Sequence, residues 1–457
     1  MSEQVIVGGY DNTLNPATTE YNSLMGGSTW SSATNYRRQI LPTAGTFKNL
    51  RVKLAGAPGE SKKYTFYLTY GDSLSNPSWT DAIPVEISGT DTEGSNTVNI
   101  QHLSAGTFVM LKVIPDGGPS AVDAYWSIVF TPDTANETIL MGGYSNSLDN
   151  TDTEYNALVG AYTWTTSNTT KQTIIPCAGT LKSFYAAVGI SPGSGKSYTL
   201  SIEGDGSGTL DLVIEDFAAS ADSGSDTRTV SAGDMVYIQS VPSGTPNENY
   251  CWWGLVLSTT DSDIFPIIRP YGGIMSTSET RYGGLCSSDQ TFSSTEANEY
   301  SLGQSMTLKN MYLELDTGLS SGDYTETIRI AGADSTITAT VTDTIASDTT
   351  HTEEVNDFEY LTYKHVPNSP NRGSRLYIAV CGYIKGEGVP YTSFKIPIGT
   401  QLNWIWNSGQ YNVDSGMCSF TGSGDAWQWY VISSSSIHWY PSGSPTGWVW
   451  ISGNSGL

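Results

Sequence analysis

Positive charge is the scarcest thing in this chain. Twenty-one Lys and Arg stand against 45 Asp and Glu, a formal charge of −24 at pH 7. Such a surface repels phosphate backbones and anionic headgroups, which argues against nucleic-acid binding and membrane docking. Histidine is almost as scarce. His102, His351, His365 and His438 are the only four, and none stands in His-Glu-x-x-His spacing. No Gly-x-Ser-x-Gly elbow separates a strand pattern from a helix pattern, so neither metal-assisted hydrolysis nor a serine triad can be assembled. Forty-five acids guarantee that some carboxylates are neighbours, so a glycosidase-type pair carries no signal by itself. The expectation is a protein that is not an enzyme. Five cysteines, Cys177, Cys251, Cys286, Cys381 and Cys418, are scattered without a Cys-x-x-Cys pair. That set suits neither a disulfide framework nor a zinc site, and reads as reduced core thiols. No run approaches the roughly 18 apolar residues that cross a bilayer. Met1-Ser2-Glu3-Gln4-Val5 shows no basic segment leading into an apolar one, so no secretion signal is visible.

What is present is β-structure and repetition. Aromatics reach 11% and charged residues only 14%, too aromatic for disorder and too poor in helix formers for a helical fold. Short alternating stretches such as Tyr64-Thr65-Phe66-Tyr67-Leu68 and Tyr198-Thr199-Leu200-Ser201-Ile202 are punctuated by Gly, Pro or Asx. That spacing predicts an all-β sandwich or barrel. Gly8-Gly9-Tyr10 returns as Gly142-Gly143-Tyr144, 134 residues on (144 − 10). The shift holds through Glu20-Tyr21-Asn22 and Glu154-Tyr155-Asn156, Trp30 and Trp164, and Pro58-Gly59 and Pro192-Gly193. About 24 of the 59 positions from Gly8 to Phe66 are identical to their partners. A period this long is a whole domain, not one turn of a solenoid.

A third, eroded copy follows. Tyr271-Gly272-Gly273 answers the opening Gly-Gly-Tyr in rearranged order, and Thr307-Leu308-Lys309-Asn310 matches Thr46-Phe47-Lys48-Asn49. The closing strands of the first two copies, Tyr125 to Phe130 and Trp252 to Leu257, are aromatic-rich apolar runs. Gly373 to Ile378 and Tyr391 to Ile396 are the expected counterparts of the last two strands in the third. The organisation read from this is residues 1–134, 135–262 and 263–399 as three β-sandwich modules, with 400–457 as a Trp-rich β element. Tandem modules suggest an extended rod or lobe, although three homologous modules can equally pack as pseudo-symmetric subunits within one chain.

Two local motifs have bland explanations. Gly193-Ser194-Gly195-Lys196-Ser197 looks like a phosphate loop, but Ile190 stands where the motif needs its first glycine. A β pattern follows at once, where a phosphate loop would open a helix. Asp149-Asn150-Thr151-Asp152-Thr153-Glu154 and Glu203-Gly204-Asp205-Gly206 offer oxygen ligands without the spacing of a known calcium loop. No cofactor is expected, with Ca²⁺ as the one candidate. Glu20 and Glu154 recur beside aromatics and are expected to accept hydrogen bonds from local backbone amides.

Seven of the thirteen tryptophans lie near the end: Trp404, Trp406, Trp427, Trp429, Trp439, Trp448 and Trp450. Six form Trp-x-Trp pairs, which face one side of a strand. Such indoles fill a core, bury in a subunit interface or stack on sugar rings. These seven are the candidate binding residues.

At Pro42-Thr43-Ala44-Gly45-Thr46-Phe47-Lys48-Asn49-Leu50-Arg51-Val52-Lys53-Leu54, then Ala57-Pro58-Gly59 and Lys63-Tyr64-Thr65-Phe66, the chain resembles a recurrent β-module of tailed-phage virion proteins. Pro176-Cys177-Ala178-Gly179-Thr180 and Pro192 to Thr199 resemble it still better, and the Trp-rich end does not. The resemblance implies jelly-roll-like sandwiches on a virion surface, as capsid decoration, head fibre or tail fibre, often trimeric. It also implies synthesis in the host cytoplasm and release by lysis. The expected partners are other virion proteins, a homotrimer of the chain, and a host surface glycan or receptor. The alternatives are a free-standing carbohydrate-binding protein and, behind it, a polysaccharide-degrading appendage.

Overall fold

A computed structural model of the chain describes residues 3–10, 12–71, 78–144, 146–160, 163–261, 263–269, 273–286 and 292–384. Beyond these it describes short strands between Lys395 and Ser452. Residues 1–384 pack as one unit and 385–457 as another.

The first module contains β1 (Gln4–Tyr10), β2 (Glu20–Asn22), β3 (Gln39–Ile40), β4 (Gly45–Leu54), β5 (Gly59–Gly71), β6 (Thr80–Gly89), β7 (Glu93–Leu103), β8 (Phe108–Asp116) and β9 (Ala124–Pro132). One sheet runs β1-β9-β4-β7, the other β2-β8-β5-β6 with β3 added on β8. Leaving out the two-residue β3, the strands pair first with last, second with second-last, and so inward. This nesting is a long hairpin rolled over itself into two sheets, the jelly roll.

The second module repeats the arrangement with β10 (Glu137–Tyr144), β11 (Glu154–Asn156), β12 (Thr173–Ile174), β13 (Gly179–Val188), β14 (Gly193–Gly204), β15 (Asp211–Asp216), β16 (Ser220–Asp222), β17 (Thr227–Val230), β18 (Met235–Ser243) and β19 (Cys251–Thr259). The third has β20 (Ile264–Arg269), β21 (Arg281–Gly284), β22 (Ser301–Leu302), β23 (Met306–Leu315), β24 (Asp323–Ile330), β25 (Ala333–Val341), β26 (Ile345–Val355), β27 (Tyr360–Asn368) and β28 (Leu376–Tyr383). Its sheets, β20-β28-β23-β26 and β21-β27-β24-β25, match those of the first module strand for strand. The chain is thus all-β, three antiparallel sandwiches in tandem. The third module closes on β28, so Leu376-Tyr377-Ile378 belongs to the last strand and Tyr360–Asn368 is the one before it. Of the expected last strand, Tyr391 to Ile396, residues 391–394 are outside the described residues, and Lys395-Ile396 belongs to a strand of the second unit.

The alternation read in the sequence sets the sandwich. In β4 the buried positions Phe47, Leu50, Val52 and Leu54 face inward, with one break in period at Asn49. There the register slips against β7, and Asn49 adopts φ 55°. Ser183 (φ 49°) and Asn310 (φ 55°) mark the same bulge in β13 and β23. A bulge re-aims the strand, and Asn tolerates the left-handed conformation better than most residues. Each core also holds one tyrosine that is fully buried and satisfied. Tyr64, Tyr198 and Tyr324 donate to the carbonyls of Ser120 (2.9 Å), Asn247 (3.2 Å) and Arg372 (2.6 Å). In every module this ties the fifth-strand region to the loop before the last strand.

The first glycine of Gly-Gly-Tyr exists for a tryptophan. Gly8 pairs with Trp126, and Gly142 with Trp253. A Cβ on Gly142 would sit 2.5 Å from the Trp253 indole, and one on Gly8 would overlap Trp126. Each indole packs edge-on against a second tryptophan, Trp30 at 5.6 Å and Trp164 at 5.4 Å. Each also donates its N–H at 2.9 Å, to Leu24 O and Leu158 O respectively.

The third module solves the same space differently. At the matching register Arg269 pairs with Ile378, so the bulk moves from the last strand to the first. The guanidinium lies 5.3 Å from the Phe292 ring and donates to Gly284 O at 3.1 Å. Arg269, not the Tyr271-Gly272-Gly273 triplet, therefore occupies the place of the opening glycine. Its charge is met by Glu299 at 3.4 Å, fully within the core.

In the second unit, β29 (Lys395–Pro397) pairs with β31 (Ala426–Gln428), β30 (Phe420–Thr421) with β33 (Thr446–Gly447), and β32 (Ser436–Trp439) with β34 (Val449–Ser452).

A methyl group at Gly142 would press directly on the buried Trp253 ring. Gly142→Ala is expected to destabilise the protein by about 1–3 kcal/mol, the usual cost of overpacking, read as a lowered chemical-denaturation midpoint.

Candidate functional site

The last strand of each module is buried along almost its whole length. β9 and β19 each begin with seven consecutive buried residues, and so does β28. Alternate side chains of a strand face opposite ways, so one set fills the module's own core and the other set needs a second cover. The preceding module, in cyclic order, supplies it. β3 of the first module lies against β10, β13 and β19 of the second; β12 of the second lies against β20, β23 and β28 of the third; β22 of the third lies against β1 and β9 of the first. The three seams follow one rule and close on themselves. Residues 1–384 form a ring with pseudo-threefold symmetry, not the rod that tandem order suggested.

Each seam carries the same anchor. Trp252 donates its indole N–H to Asn35 O at 3.1 Å, Tyr125 its hydroxyl to Ala297 O at 3.1 Å, and Tyr377 its hydroxyl to Thr169 O. The three donors occupy one position in the last strand. The three acceptors are the second residues of short 3₁₀ turns, Thr34–Tyr36, Glu296–Glu299 and Asn168–Thr170. A polar tip on a large apolar body is suited to this, because the ring buries area while the donor fixes position. The second glycine of the motif makes room for the approach. A Cβ on Gly143 would stand 2.9 Å from Arg38 O, and one on Gly9 would overlap Tyr300 O.

Around the anchors the seams differ in chemistry. Trp252 packs on Phe108 with ring centres 5.6 Å apart, and the Arg38 guanidinium lies 5.3 Å from its ring. Between modules two and three, Cys381 donates its thiol to Pro176 O at 3.3 Å. The third seam is the most polar. Tyr300 and Tyr360 stack at 4.1 Å with Tyr125 edge-on to both, and Lys53 reaches Phe358 O at 3.0 Å. Arg51 pairs with Asp357 at 2.5 Å across 306 residues of sequence. Arg51 also helps hold the Asp357 carboxyl below its usual range, together with the Ser305 N–H and hydroxyl and against the opposing effect of burial.

The sequence-derived candidates fall elsewhere. Trp404, Trp406, Trp429 and Trp448 lie outside the described residues. Trp427, Trp439 and Trp450 lie on β31, β32 and β34, where only the backbone is described. Glu20 and Glu154 accept hydrogen bonds from the Asn15 and Asp149 amides, each at 2.7 Å, as expected of scaffold acids. Burial pushes both carboxyls up, partly offset by those amides.

Asp149 in turn accepts the Thr151 and Asp152 amides, and Asp205 accepts Met235 N at 3.0 Å. Backbone donors thus hold these carboxylates, and among the described residues no three acidic, His or Cys side chains converge as a metal site. Gly193 to Ser197 opens strand β14, with Gly195 N bound to Asp216 at 2.6 Å. Cys177, Cys251, Cys286 and Cys381 are buried and unbridged. Burial drives the Cys286 thiol up to about 12 and raises Cys251 as well, which makes both inert.

Neither a protein-family model nor a curated protein matches the chain.

The sequence signal for the seams was the near-continuous apolar run of each last strand. Such runs mark strands covered on both faces. Tyr377→Phe and Trp252→Phe each delete one anchoring donor. The lost bond, with the buried carbonyl left unmet, should cost about 1–3 kcal/mol in each, and Trp252→Phe should cost more because the smaller ring also leaves a cavity. Hydrogen exchange should quicken in the 3₁₀ turn of the preceding module (168–170 and 34–36), with the mutated module's own core unchanged.

Proposed function

We propose that the chain is a non-enzymatic structural protein of a virus particle, displayed on its surface as a capsid decoration or as part of a head or tail fibre. The observation that carries this reading is the closed ring. The side chains that recur in the modules fill cores and seams. Jelly rolls recur in viral capsid and lectin domains. A fold alone assigns no function, so the weight rests on the ring. Three covalently linked modules arranged about one axis give a single chain the geometry for which a homotrimer was expected. Residues 400–457, with their paired tryptophans, are assigned to assembly with other virion proteins or to contact with host glycan. No chemistry in this reading needs a cofactor.

An antiserum raised against the full chain tests the proposal on particles of the virus that encodes it. Immunogold label on the head or tail surface is the expected outcome. Protein confined to the soluble lysate, with unlabelled particles, would overturn it. Saccharide affinity of that soluble protein, lost with Trp439→Ala, would replace it by a free-standing carbohydrate-binding protein.

A further inference from the structure

The core of the third module contains ionisable groups at two cross-strand positions where the other two modules have none. Glu326 on β24 occupies the place of Phe66 on β5 and Leu200 on β14. Its cross-strand partner His365 on β27 occupies the place of Val113 on β8 and Ser240 on β18. Both are completely buried, and His365 Nδ1 is hydrogen-bonded to Glu326 Oε1. His365 Nε2 lies 3.1 Å from Ser276 O, so the ring is held at both nitrogens. With a carbonyl at one nitrogen and a carboxylate at the other, the site has two acceptors and favours the doubly protonated imidazole. Glu326 Oε2 has no hydrogen-bond partner among the described residues.

The surroundings define the pair's charge environment. From β24, Tyr324 lies 4.7 Å from the imidazole, ring centre to ring centre. From β20, Arg269 acts on Glu326 and is itself balanced by Glu299 from the 3₁₀ turn. From β21, Arg281 is the cross-strand neighbour of His365 and pairs with Glu279 at the surface. Tyr363 on β27 and Cys286 after β21 complete the set and are neutral near pH 7. The local charges thus cancel when His365 and Glu326 together hold one proton more than a free carboxylate and a neutral imidazole.

The same strands carry the seam to the first module. β27 begins at Tyr360, which stacks on Tyr300 against Tyr125, and Glu299 ends the turn whose Ala297 O anchors Tyr125. We propose that the His365–Glu326 pair is a proton-operated latch: protonated, it holds the third module and its seam to the first module shut, and loss of the proton as pH rises above neutral loosens both. The inference stands apart from the virion reading, because it concerns the ring and needs no particle.

The direction follows from linkage. Burial raises Glu326, more than His365 and Arg269 lower it. Burial alone would lower His365, but the charge and hydrogen bond of Glu326, with the Ser276 carbonyl, raise it above its usual value. Both groups therefore hold protons more tightly folded than unfolded. Their stabilisation is fully present below the unfolded values and is lost as pH climbs through the folded ones. The acid limb is set elsewhere, by carboxyls held low such as Asp348, at about 2, and Asp357.

Native-state hydrogen exchange on the full-length chain, corrected for intrinsic rates, tests the latch between pH 6 and pH 9. Opening of β24 and β27 should increase with pH by up to tenfold per unit, the limit for one proton, while β5, β8, β14 and β18 stay flat. The variant E326L/H365S, which copies the second module, should abolish the slope. An equal slope in all three modules, or a slope retained in the variant, would overturn the proposal. The wild-type histidine NMR titration decides the matter if the variant does not fold. One of the four histidines should titrate above the usual range, and that signal should be absent from H365Q; four ordinary titrations would overturn the latch.

Discussion

A β-sheet that is apolar on both faces cannot form the outside of a molecule. The last strand of every module here, β9, β19 and β28, is such a strand, and it sits centrally in its sheet between the first strand and β4, β13 or β23. The second sheet of the module covers one face, and the other face must find a neighbour. At roughly 25 cal/mol per Å² of apolar area, leaving it wet would cost more than a module of this size can spare, since whole domains are stable by only about 5–15 kcal/mol. Tandem order supplies a neighbour for the second and third modules directly. The first module is covered only if the third comes back to it, so the ring follows from the demand of one face.

Within that constraint each repeated residue has a distinct job. The two glycines of the opening motif are alike in sequence and opposite in use: Gly8 and Gly142 admit a tryptophan of their own module, Gly9 and Gly143 admit the backbone of the module before it in the ring. The third module shows what the constraint permits. Gly and Trp there become Arg269 and Ile378, the edge-on tryptophan pair becomes Arg269 over Phe292, and a buried carboxylate, Glu299, arrives with the charge. Glu299 stands in the place of Arg37 and Lys171, so the sign of the charge at the end of the 3₁₀ turn has reversed together with the appearance of Arg269. The topology and the anchor, Tyr377 to Thr169, have not changed. Volume, hydrogen bonding and charge were kept in balance while identity was lost.

This explains how much of the molecule was legible from sequence. Alternation and turn residues gave the β class, and the 134-residue shift gave the first two modules, because those signals are local or literal. The scaffold role of Glu20 and Glu154 was readable for the same reason. The end of the third module was misassigned because its strands retain pattern without identity. Its clearest marker is Tyr324-Thr325, which repeats Tyr64-Thr65 and Tyr198-Thr199. The anchors were hidden more deeply, since their donors are Tyr, Trp and Tyr and their acceptors are backbone carbonyls, which no side-chain motif records. The paired tryptophans of residues 400–457 drew attention by composition, and their side chains lie outside the described residues.

Ring closure between the first and third modules is the central claim, and a double-mutant cycle on Tyr125 and Tyr360 tests it most directly. These residues stand 235 positions apart (360 − 125) and meet with ring centres 5.3 Å apart. The account predicts that Tyr125→Leu and Tyr360→Leu couple by about 0.5–1.5 kcal/mol in the full-length chain, the range for an aromatic pair. Simple additivity, within the roughly 0.3–0.5 kcal/mol seen for distant sites, would mean that the third module does not return to the first, and the ring would fall with it.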